Sequence, residues 1–201
     1  MSMKSTLFTY PFHYHLIENV FTDEQLNEIW QELEYFYESQ SSLDPYNAGG
    51  ALDYDGNVLK KNKGWFIEKE DSSIFKHTGD SILNPSIINH PASWFFNQTR
   101  WNADSLLISY YDHGDYYKAH NDVSMITACI WLNKEPKSYE GGDFLFPSYD
   151  IKIESRNNCA VVFPSNIFHQ VTEISIRNKE NRNKGLGRYT ITQFASVNIL
   201  S

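Results

Sequence analysis

Cysteine is almost absent from this chain: Cys129 and Cys159 are the only two in 201 residues. Each lies in an apolar run, ITACIWL and NNCAVVF, where a thiol serves as a small buried hydrophobe. They therefore read as core residues, not as a disulfide or a metal site. Basic residues are also scarce, 17 against 25 acidic ones, for a net charge of −8. A surface of that sign repels phosphate, which argues against bulk binding to nucleic acid or to an anionic membrane. No apolar run approaches the roughly 18 residues needed to span a bilayer. The opening residues, MSMKSTLFTYPF, lack an apolar core and a cleavage site, so they do not read as a secretory signal. The expected location is cytoplasmic.

What the chain does have is aromatic bulk. Aromatics make up 15% of it, with 13 Tyr, 13 Phe and 5 Trp. Such a composition favours a strand-rich protein with a pocket or groove. With 41% apolar and 21% charged residues, disorder is excluded. The length fits one domain, 1–201, and needs no covalent staples, since a chain of this size buries roughly 70% of its unfolded surface.

Residues 12–21 read as an opening strand that leads into a helix. Thr22 and Gln25 have the spacing of a capping box. Leu26, Ile29, Trp30, Leu33 and Phe36 then recur at helical intervals, which predicts a helix over 22–39. Asp55-Gly56 reads as a hairpin turn between ALDY and NVLK, and a second helix is expected over 91–100, after His90-Pro91. From residue 104 the pattern changes. Short apolar runs follow one another about every 8–12 residues with turn signals between them, the mark of an antiparallel sandwich or barrel. On this reading 1–103 supplies helices and a hairpin or lid region, and 104–201 is the core barrel. A polar, mostly basic insertion, IRNKENRNKGLG, precedes the last strand.

The chemistry concentrates at His120-Asn121-Asp122. In an extended segment, side chains two apart share a face, so His120 and Asp122 can converge on one metal while Asn121 points away. His169, after CAVVFPSNIF, is the natural third ligand. Two histidines and one carboxylate make the facial triad of non-haem Fe(II) oxygenases. Two other pairs share the spacing. His113-Gly114-Asp115 carries a glycine that marks a turn, and His13-Tyr14-His15 has no matching carboxylate. His77 and His90 read as structural or surface residues. Arg188 opens a strand-like segment, RYTITQFA, where a buried guanidinium needs a fixed anion; its planar fork suits a carboxylate. Thr190, two residues on, can add a hydroxyl. Arg177 and Arg182 are the rivals in the preceding loop, but only Arg188 opens an alternating apolar segment.

These features, in this order, resemble the 2-oxoglutarate and Fe(II)-dependent dioxygenases, and prolyl 4-hydroxylase-like members in particular. Tyr110 to Asp122, YYDHGDYYKAHND, is similar to their Y-x-x-x-G-x-x-Y-x-x-H-x-D run. Leu132-Asn133 followed by GGDFLFP, and VFPS before His169 and Val171, match further segments. The resemblance covers residues 104–197. It departs from collagen-type members in carrying Arg188 where they use lysine, and in a longer gap between His169 and Arg188. It implies a mainly β, α+β fold: a double-stranded β-helix, a jelly roll of cupin-like type, with supporting N-terminal helices. It further implies that His120, Asp122 and His169 hold Fe(II), and that Arg188 pairs with the distal carboxylate of 2-oxoglutarate. Tyr110 would hydrogen-bond that cosubstrate, Thr190 would assist, and Val171, Phe194 and Trp131 would wall the site. O2 is the oxidant, with ascorbate as an accessory reductant.

The implied reaction is hydroxylation of an unactivated C–H bond, coupled to conversion of 2-oxoglutarate into succinate and carbon dioxide. A peptide or protein substrate hydroxylated at proline fits best, with residues 44–66 as a lid over it. The alternatives are the same chemistry on a free amino acid or other small metabolite, a cupin-type metal enzyme without 2-oxoglutarate, and a catalytically silent β-helix that only binds. Oligomeric state is left open.

Overall fold

The structure, a computed structural model, describes residues 2–68, 72–79 and 81–198. In chain order its elements are β1 (Lys4–Phe8), β2 (Tyr14–Glu18), α1 (Asp23–Ser39), β3 (Lys60–Lys61), β4 (Lys63–Ile67), α2 (Ser73–Gly79), α3 (Pro85–Ile88) and α4 (Trp94–Gln98). They are followed by β5 (Ala103–Tyr111), β6 (Tyr116–His120), β7 (Ile126–Leu132), β8 (Glu140–Gly141), β9 (Phe144–Phe146) and β10 (Ile151–Ile153). The last four strands are β11 (Cys159–Pro164), β12 (His169–Val171), β13 (Ile174–Ser175) and β14 (Arg188–Ser196). Among the described residues, no helix is long and apolar enough to cross a membrane.

Two antiparallel sheets face each other. The larger runs β1-β2-β11-β7-β14-β5-β4, and the smaller β10-β9-β12-β6-β3, with β8 and β13 as a separate pair. This is the double-stranded β-helix expected from the resemblance. Its central strands are buried on both faces because two different partners cover them. On β5, Leu106, Ile108 and Tyr110 pack in the helix-side core, whereas Leu107, Ser109 and Tyr111 line a cavity between the sheets. β14 divides in the same way, with Tyr189, Ile191 and Ala195 toward the helices and Arg188, Thr190, Thr192 and Phe194 toward the cavity. Period-two alternation thus places every second residue of these strands at the site.

The helix side is fixed by α1. Its capping box is complete: the Gln25 backbone N–H donates to Thr22 Oγ1 at 3.3 Å, and the Thr22 N–H donates to Gln25 Oε1 at 2.9 Å. Ile29 and Leu33 of α1 are fully buried. Two short helices, α2 and α3, were not expected from the sequence, and α4 is the core of the helix expected over 91–100. Ile74, Ile88 and Phe96 anchor all three in the same core. The turn at Asp55-Gly56 joins a one-bridge hairpin, Leu52 to Val58. The lid reading of 44–66 is corrected at its end. Residues 63–67 form β4, the edge strand of the larger sheet, with Trp65 4% exposed on the helix side.

The other two-apart histidine pair is structural. His15 is buried, its Nε2–H donating to the Ile88 carbonyl at 3.0 Å while Nδ1 accepts from Ser5 Oγ at 2.8 Å. Burial lowers its pKa from 6.5 to about 4. The unfolded chain therefore binds a proton below pH 6.5 that the folded chain refuses until about pH 4, so this contribution is complete above 6.5 and is lost as pH falls. Between those limits His15→Gln is expected to flatten the fall in unfolding free energy by about 1.4 kcal/mol per pH unit. Urea unfolding of both proteins across that range checks it, and parallel slopes would refute it.

Candidate metal and anion site

His120 closes β6, and His169 opens β12 directly opposite it in the antiparallel ladder. Each ring is oriented by its own strand. His120 Nδ1–H donates to the Lys118 carbonyl at 2.9 Å, and His169 Nδ1–H donates to the Ile167 carbonyl at 3.0 Å. A carbonyl can only accept, so both rings carry the proton on Nδ1 and present a bare Nε2 lone pair. Burial holds both imidazoles neutral by lowering their pKa values, reinforced at His120 by its proximity to His169. Those lone pairs converge on Asp122, with His120 Nε2 3.8 Å from Oδ1 and His169 Nε2 3.6 Å from Oδ2. The ligand atoms of the three residues lie within 4.8 Å of one another, a set able to hold a metal ion.

Asp122 is not on the strand with His120, as the sequence reading had it. The strand stops at His120 and the chain turns, leaving Asn121 exposed. The Asp122 N–H donates to the Ser165 carbonyl at 2.9 Å, and Oδ2 accepts from Thr127 Oγ1 at 2.6 Å. Thr127 in turn lies 2.9 Å from Ser165 Oγ. Thr127 and Ser165, both fully buried, thus aim the carboxylate; Ser165 closes the VFPS segment noted in the sequence, whereas nothing in the pattern singled out Thr127. Partners of this kind tune metal affinity by about 10–100-fold. Thr127→Val is expected to weaken Co(II) binding by about that factor, read by competition with a chromophoric chelator, and unchanged affinity would refute the role.

Across the cavity stands Arg188, 1% exposed. Its Nε donates to Ser155 Oγ at 2.8 Å and its Nη1 to Thr190 Oγ1 at 2.6 Å, while Nη2 is buried without a partner. The guanidinium rests against the Tyr111 ring at 5.2 Å and the Trp131 ring at 6.0 Å, and Trp131 Nε1 is likewise an unpartnered buried donor. Among the described residues no carboxylate lies within ion-pairing distance of Arg188. A buried cation with an idle donor is the complement of a small carboxylate. Gly142, at φ +70°, makes room for the arginine side chain: a Cβ there would meet the Ile174 side chain and lie 3.0 Å from Arg188 Cδ. Arg177 instead pairs with Glu140 at the surface, and Arg182 Nε donates to the Ile176 carbonyl.

The remaining expected residues divide. Thr190, Val171 and Phe194 line the cavity. Trp131 is packed just behind it, beside Arg188. Tyr110 does not reach it. Its side chain lies on the helix face of β5, where the hydroxyl donates to Asp112 Oδ2 at 2.7 Å and accepts from the Gly187 N–H at 3.1 Å. Tyr111, one residue on, takes the cavity position. Tyr117, a fixed position of the Tyr110–Asp122 run, and Lys60 also line it, although no place in the cavity was read for either; Tyr117 stacks on His120 with ring centroids 3.5 Å apart. Of the other histidines, His113 accepts from the Ile176 N–H, beside a turn at Gly114 with φ +79°, and His77 pairs with Glu28. Both cysteines are free and buried; Cys129 lies on the cavity wall.

Comparison with known proteins agrees with this geometry. Residues 106–196 match the 2OG-Fe(II) oxygenase superfamily. No similar sequence is found among curated proteins. A prolyl-4-hydroxylase from Pseudomonas putida is similar in structure at 15% identity and TM-score 0.59, with 92% of each chain covered. A Trichoplax adhaerens prolyl hydroxylase, solved with a peptide fragment of the hypoxia inducible factor oxygen degradation domain, is similar at 17% identity and TM-score 0.67, covering 91% of this chain and 83% of that one. A collagen prolyl hydroxylase of Paramecium Bursaria Chlorella virus-1, solved with 2-oxoglutarate, gives 13% identity and TM-score 0.57 over 92% and 96%. With its His-Asp-His cluster, the 106–196 segment is similar to the 2OG-Fe(II) oxygenase superfamily, whose cofactors are Fe(II), 2-oxoglutarate and O2, and the fold is prolyl 4-hydroxylase-like.

Proposed function

We propose that the protein hydroxylates a prolyl residue of a peptide or protein, with His120, Asp122 and His169 as the Fe(II) ligands and Arg188 as the anchor of 2-oxoglutarate. The observation that carries this reading is the pairing, in one cavity, of a neutral His-Asp-His cluster with a buried arginine that has an idle donor. Iron and cosubstrate supply the oxidising chemistry when bound. The chain does the rest. Nδ1–H bonds to two backbone carbonyls hold the imidazoles in the metal-binding tautomer, and Thr127 orients the carboxylate. Arg188 and Thr190 receive the distal carboxylate, and Tyr111, not Tyr110, is the tyrosine in reach of the cosubstrate. Val171, Phe144 and Phe194 keep water from the reacting centre.

A polypeptide substrate is supported by the rim. Val123, Met125 and Phe168 adjoin the proposed ligand residues in sequence and expose large apolar side chains, 104%, 45% and 50% accessible. The segment before β3 reaches over the cavity, contributing Gly49 to its wall, and the Ala51 N–H donates to the Tyr117 hydroxyl at 2.9 Å. The test is succinate release with Fe(II) and 2-oxoglutarate, combined with mass spectrometry of prolyl peptides after reaction. The expected result is succinate formed in step with peptides heavier by one oxygen atom. Succinate formation that no prolyl peptide stimulates would reject the prolyl reading, and no succinate above the His120→Ala background would reject the enzyme reading.

A further inference from the structure

One charged group in the cavity has no place in the assignments above. Lys60 is 4% exposed, although it lies in a lysine-rich stretch, Lys60-Lys61-Asn62-Lys63. β3 pairs with β6 so that Lys60 stands opposite Tyr117, and this turns its side chain into the cavity. The ammonium donates to the Ala48 carbonyl at 2.7 Å and lies 5.2 Å from the centre of the Tyr117 ring. An ammonium has three donors, so two remain for a ligand. No carboxylate among the described residues lies within ion-pairing distance of it.

The charge balance of the site shows what that ligand would be. A divalent iron together with Arg188 is offset by the Asp122 carboxylate and the two carboxylates of 2-oxoglutarate. Lys60, 4% exposed, is then a surplus positive charge, and a buried charge without a partner is expensive. The remaining partner has to arrive with the substrate.

We infer that Lys60 is a specificity-determining residue that binds a carboxylate of the substrate, so that the preferred substrate brings one negative charge to the mouth of the metal site. This rests on the dioxygenase reading above and narrows its substrate class. The carboxylate could belong to a free amino acid, to a peptide C-terminus, or to an Asp or Glu side chain next to the target residue. Desolvation lowers the Lys60 pKa to about 8, opposed by the nearby Asp122 carboxylate, which leaves the amine mostly protonated at neutral pH. The same ammonium, through Ala48, ties the segment before β3 to the cavity, so a bound carboxylate would also steady that segment.

The test uses the protein loaded with Mn(II) and 2-oxoglutarate, to prevent turnover, and isothermal titration with matched probes. These are N-acetyl-proline and its amide, free L-proline and its amide, and N-acetylated, C-amidated prolyl peptides carrying either Glu or Gln beside the proline. The expected result is that the acid of at least one pair binds about 10-fold or more tightly than its neutral partner, the equivalent of about 1.4 kcal/mol. That margin closes in Lys60→Met and is kept in part in Lys60→Arg. Which pair shows it identifies the source of the carboxylate. No acid preference in any pair, including no binding by either member, overturns the inference, as does a preference that survives in Lys60→Met. The visible charge-transfer band that Fe(II) and 2-oxoglutarate give anaerobically reports separately on the underlying reading. Its absence from the wild-type protein would fell the dioxygenase assignment, whereas its presence without an acid preference would fell only the role of Lys60.

Discussion

Replacing Arg188 with Met is expected to raise the KM for 2-oxoglutarate by a factor between about 30 and several thousand, the loss that follows when one partner of a buried charge pair is truncated, about 2–5 kcal/mol. Without ligand the sign is reversed. The wild-type guanidinium is buried with one idle donor and no anion, held only by the Ser155 and Thr190 hydroxyls. An apolar side chain of similar volume removes that desolvation penalty, as apolar replacement of buried ionic groups does elsewhere. The ligand-free variant should therefore melt no lower than the wild type. In the presence of metal and 2-oxoglutarate at 100 times its Kd, the wild type gains about 2.7 kcal/mol, roughly 5–11 °C in a domain of this size. From the same cosubstrate concentration the variant gains at most about 0.9 kcal/mol, the value left by a roughly 30-fold loss of affinity. Arg188→Lys keeps the charge but loses the fork, so it recovers the response only in part. Differential scanning calorimetry with and without cosubstrate measures both halves. A variant that melts lower without ligand and still shifts fully with it would remove Arg188 from the site.

The second large effect concerns the metal cluster. Asp122→Ala leaves two neutral imidazoles and no charge to offset a dication. It is expected to lower succinate release by on the order of 10³-fold or more, the scale of the several kcal/mol a catalytic metal supplies. His120→Ala and His169→Ala should do the same, and any double variant should lose no more than the singles, because the three act as one unit. Metal content after dialysis, by inductively coupled plasma mass spectrometry, should fall in parallel with activity. The fold should survive: the helix-side core around Ile29, Leu33, Ile108 and Ile191 is a separate cluster from the one that backs the site. Full activity in any of the three singles would contradict the cluster.

Much of this site was legible in the sequence because its signals are local. The cap at Thr22 and Gln25 is a four-residue pattern that depends on nothing distant, and the helix it starts runs to Ser39 as read. The metal cluster was legible because chemistry restricts its residue types, even though the detail differed. Asp122 reaches the histidines from a turn pinned to Ser165, not from the pleat of a strand. Tyr110 was misassigned for a reason specific to strands. It stands beside Tyr111, both are buried, and a one-residue offset reverses the face of a strand. Alternation could not be read where both faces are covered. Lys60 was hidden more deeply, since its burial arises from β3 pairing with β6, more than 50 residues along the chain, by Lys60–Tyr117 register. The helices α2 and α3 have seven and four residues and owe their form to the core they pack on, so propensity alone gave no sign of them.

The central claim is that one cavity brings a metal and the distal carboxylate of 2-oxoglutarate to opposite walls. A crystal structure of the protein grown with Mn(II) and 2-oxoglutarate tests it most directly. The account predicts metal density on His120 Nε2, His169 Nε2 and the Asp122 carboxylate, with the cosubstrate running from the metal to Arg188 Nη2 and Thr190. Metal held by other residues, or 2-oxoglutarate bound with Arg188 still unpaired, would contradict it.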